Sequence, residues 1–192
     1  MKTYSTLDSI DFYGKHAVII NKISASNDDL QVDISSPPLF TRVLDSYFIA
    51  GLIGIINDYK GTIDKSSPEK KSIFTDTVNR HSPQIDFFAA IPIILKEDMS
   101  SVLEVKRAFF SESNEEENYL VRRNRIFYEY ALGGLELIEE NVLKSKSKGV
   151  DISEVAIFDR LEQYLSSLEK KFKIEDDFVD MDLIKNLTDL DI

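Results

Sequence analysis

The chain has 192 residues, no cysteine, no tryptophan and a formal net charge of −11. Without cysteine there is no disulfide framework, no thiolate metal site and no cysteine nucleophile, and the negative balance repels phosphate backbones, which disfavours direct nucleic-acid binding. Hydrophobic residues make up 43% of the chain, against only 7 Gly and 5 Pro, which is enough for one real core and too few turn residues for a sandwich or barrel.

The expected fold is mostly α: a helical, bundle-like domain over residues 37–173, with a small β-hairpin in residues 1–36 and an acidic-hydrophobic tail at 174–192. The start of the chain lacks the basic flank and apolar core of a secretory signal. The longest apolar run, residues 47–56, has half the roughly 20 residues a membrane span needs. A cytoplasmic location without membrane association is therefore expected. Residues 16–23 are rich in β-branched side chains, and residues 30–34 alternate apolar and polar. The turn-rich Ser24 to Asp29 stretch between them suggests a hairpin, which must pack on the helices or complete a partner's sheet.

Ser35-Ser36-Pro37-Pro38 ends that element. A helix is predicted over residues 39–60, apolar nearly all round and so central to a bundle. Gly51 and Gly54 each cost around 1 kcal/mol against Ala in a helix, which close approach of a neighbouring helix would offset. Gly61 stands where a C-terminal cap belongs. Ser67-Pro68 and Ser82-Pro83 both read as helix starts. The first opens a short helix bearing Ile73, Phe74 and Val78; the second opens a buried run that Pro92 should kink or end. Another helix is predicted over residues 101–110.

The strongest helical pattern spans residues 113–144. Ser113 with Glu116 forms a capping box, and Leu120, Phe127, Ala131, Gly134, Ile138 and Val142 share one stripe. Gly133-Gly134 bends this helix or admits a close neighbour. Asp151 with Glu154 opens a last helix, whose Phe158, Leu161, Leu165, Leu168 and Phe172 form a seam. The tail then sets seven acidic residues against Lys185, about half the net charge, with Phe178, Met181, Ile184, Leu187 and Leu190 interleaved. Such a segment can fold as an amphipathic helix into a basic partner's groove.

Catalytic signatures are missing. The two histidines, His16 and His81, read as surface or capping residues, and neither has a nucleophile elbow or a metal-ligand spacing beside it. Glu115-Glu116-Glu117 reads as a helix N-terminus, and the acids at 176–182 lack the glycine and glutamate of a calcium loop. No cofactor, metal or catalytic residue is expected. Arg122, Arg123 and Arg125 form the one basic cluster; they either pair with neighbours such as Glu129 or contact a small phosphate or an acidic partner.

Residues 38–172 also resemble the small middle-component subunits of ABC-three-component antiphage systems of the Lamassu type. The resemblance rests on Pro37-Pro38-Leu39-Phe40 leading into an apolar helix that closes on Asn57-Asp58-Tyr59-Lys60. It continues through Phe87-Phe88-Ala89-Ala90-Ile91-Pro92-Ile93-Ile94-Leu95-Lys96 and an arginine-bearing helix from Arg122 to the Gly134-Leu135 step. Pro-Pro stands where that family opens with Asn-Pro, and Lys96-Glu97 where it often closes with His-Lys. The resemblance implies a non-enzymatic adaptor linking an SMC-like ATPase to an effector nuclease. Independently of the resemblance, the tail and the basic cluster give Phe178, Met181, Ile184, Leu187, Leu190, Arg122, Arg123 and Arg125 as the expected partner-binding residues. Two alternatives stay open: an acidic nucleic-acid mimic of the anti-restriction or anti-CRISPR kind, and an enzyme whose carboxylates converge on His81.

Overall fold

In a computed structural model the described residues are 9–25, 38–96, 117–144 and 154–171. Strand β1 (Ile10–Tyr13) runs directly into helix α1 (Gly14–Ile23). Helix α2 (Val43–Ile56) follows, then strand β2 (Lys70–Ile73), the short α3 (Thr75–Arg80) and α4 (Ser82–Lys96). The long α5 (Glu117–Ile138) ends in a π-helical turn (Glu139–Leu143), and α6 (Glu154–Lys171) comes last.

The small antiparallel sheet near the N-terminus is present, but its strands are not the two segments expected. β1 pairs with β2, Ile10 opposite Ile73 and Tyr13 opposite Lys70. The expected first strand, residues 16–23, is helical instead. His16, Ile19, Ile20 and Ile23 all turn inward, a spacing of three to four that suits one helix face. Two residues make this helix possible, one at its start and one far along the chain. Gly14 adopts φ +54, where a Cβ would lie 2.4 Å from the Asp64 carboxylate. That carboxylate accepts the backbone N–H of Lys15 at 2.8 Å, an N-terminal cap supplied from 49 residues away. The Lys15 N–H, then the Ser66 hydroxyl and N–H, hold the Asp64 carboxyl down to about 2. The expected second strand, residues 30–34, lies outside the described residues.

α2 is the central helix, as its apolar sequence requires. Its C-terminus is a Schellman turn: Tyr59 N–H bonds the Gly54 carbonyl at 2.9 Å and Asp58 N–H the Ile55 carbonyl at 3.1 Å. The left-handed position is taken by Asp58, at φ 50, and not by Gly61. Its carboxylate accepts the Tyr130 hydroxyl at 2.9 Å. Gly61 instead lies against the Leu132–Gly133 backbone of α5, where a Cβ would meet Gly133 N at 2.6 Å.

Ser67-Pro68 opens a strand, not a helix; the helix waits until Thr75. Ser82-Pro83 does open α4, and Pro92 lies within it without ending it. α5 crosses α2 over the most extensive contact in the fold. Gly51 and Gly54 of α2 and Gly134 of α5 sit where the two helices touch, as the expected close approach demands. Aromatic rings tie the layers together. Phe48 of α2 stacks on Phe88 of α4 at 4.2 Å, and Tyr47 meets Phe127 of α5 edge-on at 5.1 Å and Phe12 of β1 at 6.0 Å. Such pairs add about 1 kcal/mol each beyond their buried area. α6 closes the bundle against the π-helical turn and one side of α2. The expected helix at 101–110 and the Ser113–Glu116 capping box lie outside the described residues.

Candidate functional site

The first candidate is the polar cluster around His16. This histidine, expected at the surface, is fully buried (0% exposed) on the inner face of α1. Its Nε2 lies 3.0 Å from Oε1 of Glu136 on α5, and Lys15 Nζ reaches the same oxygen at 3.1 Å. The Tyr59 hydroxyl donates to the other oxygen at 3.0 Å. Burial pushes the Glu136 carboxyl up, but the bonds from His16, Lys15 and Tyr59 outweigh it and hold the group below its ordinary value. Burial lowers His16, and the Glu136 carboxylate only partly restores it. The imidazole is thus neutral, with Nε2–H as the donor, and its buried Nδ1 has no partner among the described residues.

The imidazole is sealed from solvent and already donates to Glu136, while the carboxylate keeps 20% of its surface exposed. The cluster is a clip joining α1, the Tyr59 loop and α5. Its titration sets a sign. A histidine whose folded-state pKa is depressed contributes stability that is present above its ordinary 6.5 and lost as pH falls through the folded value. Urea midpoints should therefore fall between about pH 7 and pH 5, and His16→Gln should flatten that slope. An unchanged slope in His16→Gln would assign the acid sensitivity to other groups.

His81 occupies the C-cap of α3, half-buried, its N–H on the Thr77 carbonyl at 3.1 Å. Among the described residues, no group of three or more histidine and carboxylate side chains is arranged to hold a metal ion, and no helix is long and apolar enough to cross a membrane.

The three arginines do not form one patch. Arg123 is 1% exposed and bonded to Asp86 of α4. Arg125 is exposed and lies 3.6 Å from Glu129, the neighbour its spacing suggested. Arg122 is exposed as well. Only Arg122 and Arg125 of this set face solvent, while Arg123 fastens α5 to α4. Phe178, Met181, Ile184, Leu187 and Leu190 lie outside the described residues.

Apolar surface is the second candidate. On α6 the expected seam is rotated by a fraction of a turn. Ile157, Leu161, Tyr164 and Leu168 pack against the core. Phe158 and Leu165 stay 43% and 39% exposed. They flank a shallow groove of about 420 Å³ rimmed by Glu162 and Glu169. On α4, Phe87 and Leu95 are exposed, eight residues apart and so nearly on one face. Exposed large apolar side chains clustered on a helix mark contact surfaces more often than isolated ones do. The sequence carried the signal for Phe158 and Leu165, which are seven residues apart; the signal for Phe87 was lost in a run that is apolar all round.

Comparison with protein-family models, with curated proteins and with solved structures finds no match.

Proposed function

We propose that the protein is a non-enzymatic adaptor subunit that grips a larger protein through the outer face of α6. The observation that carries this reading is the Phe158–Leu165 groove. It is an apolar strip with an acidic rim, on a helix whose adjoining face is already engaged with the core. A buried apolar anchor surrounded by polar residues is the usual anatomy of a protein–protein contact. Glu162 and Glu169 suit a basic rim on the partner. The tail at 174–192 extends the same acidic-apolar chemistry, and Arg122 and Arg125 offer a smaller contact of opposite sign. The resemblance of residues 38–172 to middle-component subunits makes the partners an SMC-like ATPase and an effector nuclease in antiphage defence.

Affinity purification of the tagged chain from its host is expected to recover a larger partner in stoichiometric amount. Phe158→Glu with Leu165→Glu should abolish that recovery while changing unfolding stability by no more than about 0.5 kcal/mol per site, as for exposed positions generally. Deleting 174–192 should weaken it. Recovery of a clean monomer, or full binding by the double variant, sinks the reading.

A further inference from the structure

Among the described residues β2 is paired through β1 alone. Its other side opens into a cavity of about 570 Å³ that is lined by all of β2 and by no residue of β1. The opposite wall comes from Thr41 to Leu44, at the start of α2.

The phase of the ladder says which backbone groups face that cavity. Gly14 N–H bonds the Glu69 carbonyl at 2.9 Å. In an antiparallel pair, hydrogen-bonded and non-bonded positions alternate. With Phe12 opposite Lys71 and Ile10 opposite Ile73 as bonded pairs, Lys70 and Ser72 turn their N–H and C=O away from β1. Among the described residues no other segment bonds those groups. Among the described residues the outer edge of β2 is therefore a short template for strand addition with no partner strand.

Side chains around the edge select what can add. Lys70, Lys71 and Arg42 stand along it, in a chain whose overall charge is −11. Lys70 holds Asp11 at 2.9 Å and Arg42 holds Asp45 at 2.7 Å. In both pairs the cation is exposed and its carboxylate partly buried, so the cation can be shared with an incoming carboxylate. Lys71 has no ion pair among the described residues. Phe74, just past the strand, is 68% exposed and lines the same cavity, an apolar anchor at one end of the edge. Edge-to-edge pairing with a second copy would bring like charges together, lysine facing lysine, which is destabilising. An acidic strand meets no such penalty.

We propose that the outer edge of β2 receives an extended acidic segment of a partner protein as a third strand. Lys70 and Ser72 supply the main-chain bonds. Lys71 and Arg42 meet its carboxylates, and Phe74 packs on one apolar side chain. The site is separate from the α6 face, so either can fail without the other.

The test uses the full chain and a fluorescein-labelled peptide of alternating Glu and Val, with a Lys-Val peptide as control. Anisotropy should report binding of the acidic peptide alone, weakened about tenfold by K71E, as expected for loss of one close charge contact. Hydrogen exchange should show the Lys70 and Ser72 amides newly protected in the complex. S72P removes an outward donor that β1 does not use, a position where an edge strand tolerates proline, and should weaken binding with the fold retained by circular dichroism. Phe158→Glu should leave the peptide affinity unchanged. Equal binding of both peptides, or binding without protection at Ser72, overturns the proposal. So does binding that appears only after residues 28–34 are replaced by a Gly-Ser linker, because the chain's own acidic segment would then be the occupant.

Discussion

Gly134→Ala is expected to lower the melting temperature by about 6 °C or more. A Cβ at this position would lie 1.8 Å from the Ala50 carbonyl oxygen of α2, and one at Gly54 would lie 2.0 Å from the Tyr130 carbonyl oxygen of α5. Real contacts of that kind do not occur, so the helices must separate. Two magnitudes compete. Alanine gains about 1 kcal/mol over glycine in a helix interior through propensity alone. Overpacking a close-packed interior costs about 1–3 kcal/mol where side chains can give way, and more where they cannot. Here both obstacles are main chain in the middle of long helices, and nothing flexible can swing aside. A net cost above about 3 kcal/mol follows, worth roughly 2–4 °C per kcal/mol at this size.

Gly51 provides an internal control. Its absent Cβ points at the ring of Phe127, 2.2 Å away, and not at backbone. Gly51→Ala is therefore also destabilising, because Phe127 is fully buried. Adding Phe127→Leu should recover part of the loss, whereas no single side-chain change should rescue Gly134→Ala. Thermal scans of the three variants by circular dichroism decide it. A Gly134→Ala protein with an unchanged midpoint would mean that α2 and α5 do not approach as closely as these distances require.

How much of this was legible in the sequence depends on the range of the forces involved. α5 and α6 announce themselves through local periodicity, α2 and α4 through long apolar runs, and the mid-helix glycines through the propensity they sacrifice. α1 was read as a strand because an eight-residue apolar run has no length to separate the two periods. Its start is set by a left-handed turn at Gly14, whose φ a local pattern does not reveal, and by a cap from Asp64, which no local window contains. β2 was hidden for the same reason: Ser67-Pro68-Glu69 imitates a helix start, and the strand that overrides it is about 60 residues earlier. The spacing of Phe158 and Leu165 does not say which side of α6 meets the core, since a strip next to a core face has the same spacing as the face itself. The buried state of Arg123 was readable in hindsight. It falls three residues after Leu120 and four before Phe127, on the apolar stripe, while Arg122 and Arg125 fall off it.

That placement carries the second large effect. Arg123 is 1% exposed and its partner Asp86 is 47% exposed, so the two ends of this ion pair are not equivalent. Removing the carboxylate strips a partner from a guanidinium that stays buried and charged, because arginine does not give up its proton. Removing the guanidinium leaves a carboxylate that water can reach. Asp86→Asn should therefore cost about 2 kcal/mol, the scale of a lost hydrogen bond to a charged group. Arg123→Met, which fills similar volume with apolar atoms, should cost less than half of that. Since the buried end is shielded from mobile ions, the Asp86→Asn cost should persist at high salt, unlike that of an exposed pair such as Arg42–Asp45. Urea titrations of the two variants at low and high ionic strength check the order. If Arg123→Met proves the more damaging, then the guanidinium fastens α5 to α4 through contacts beyond Asp86, and the arginine is worth more to the fold than the pair it forms.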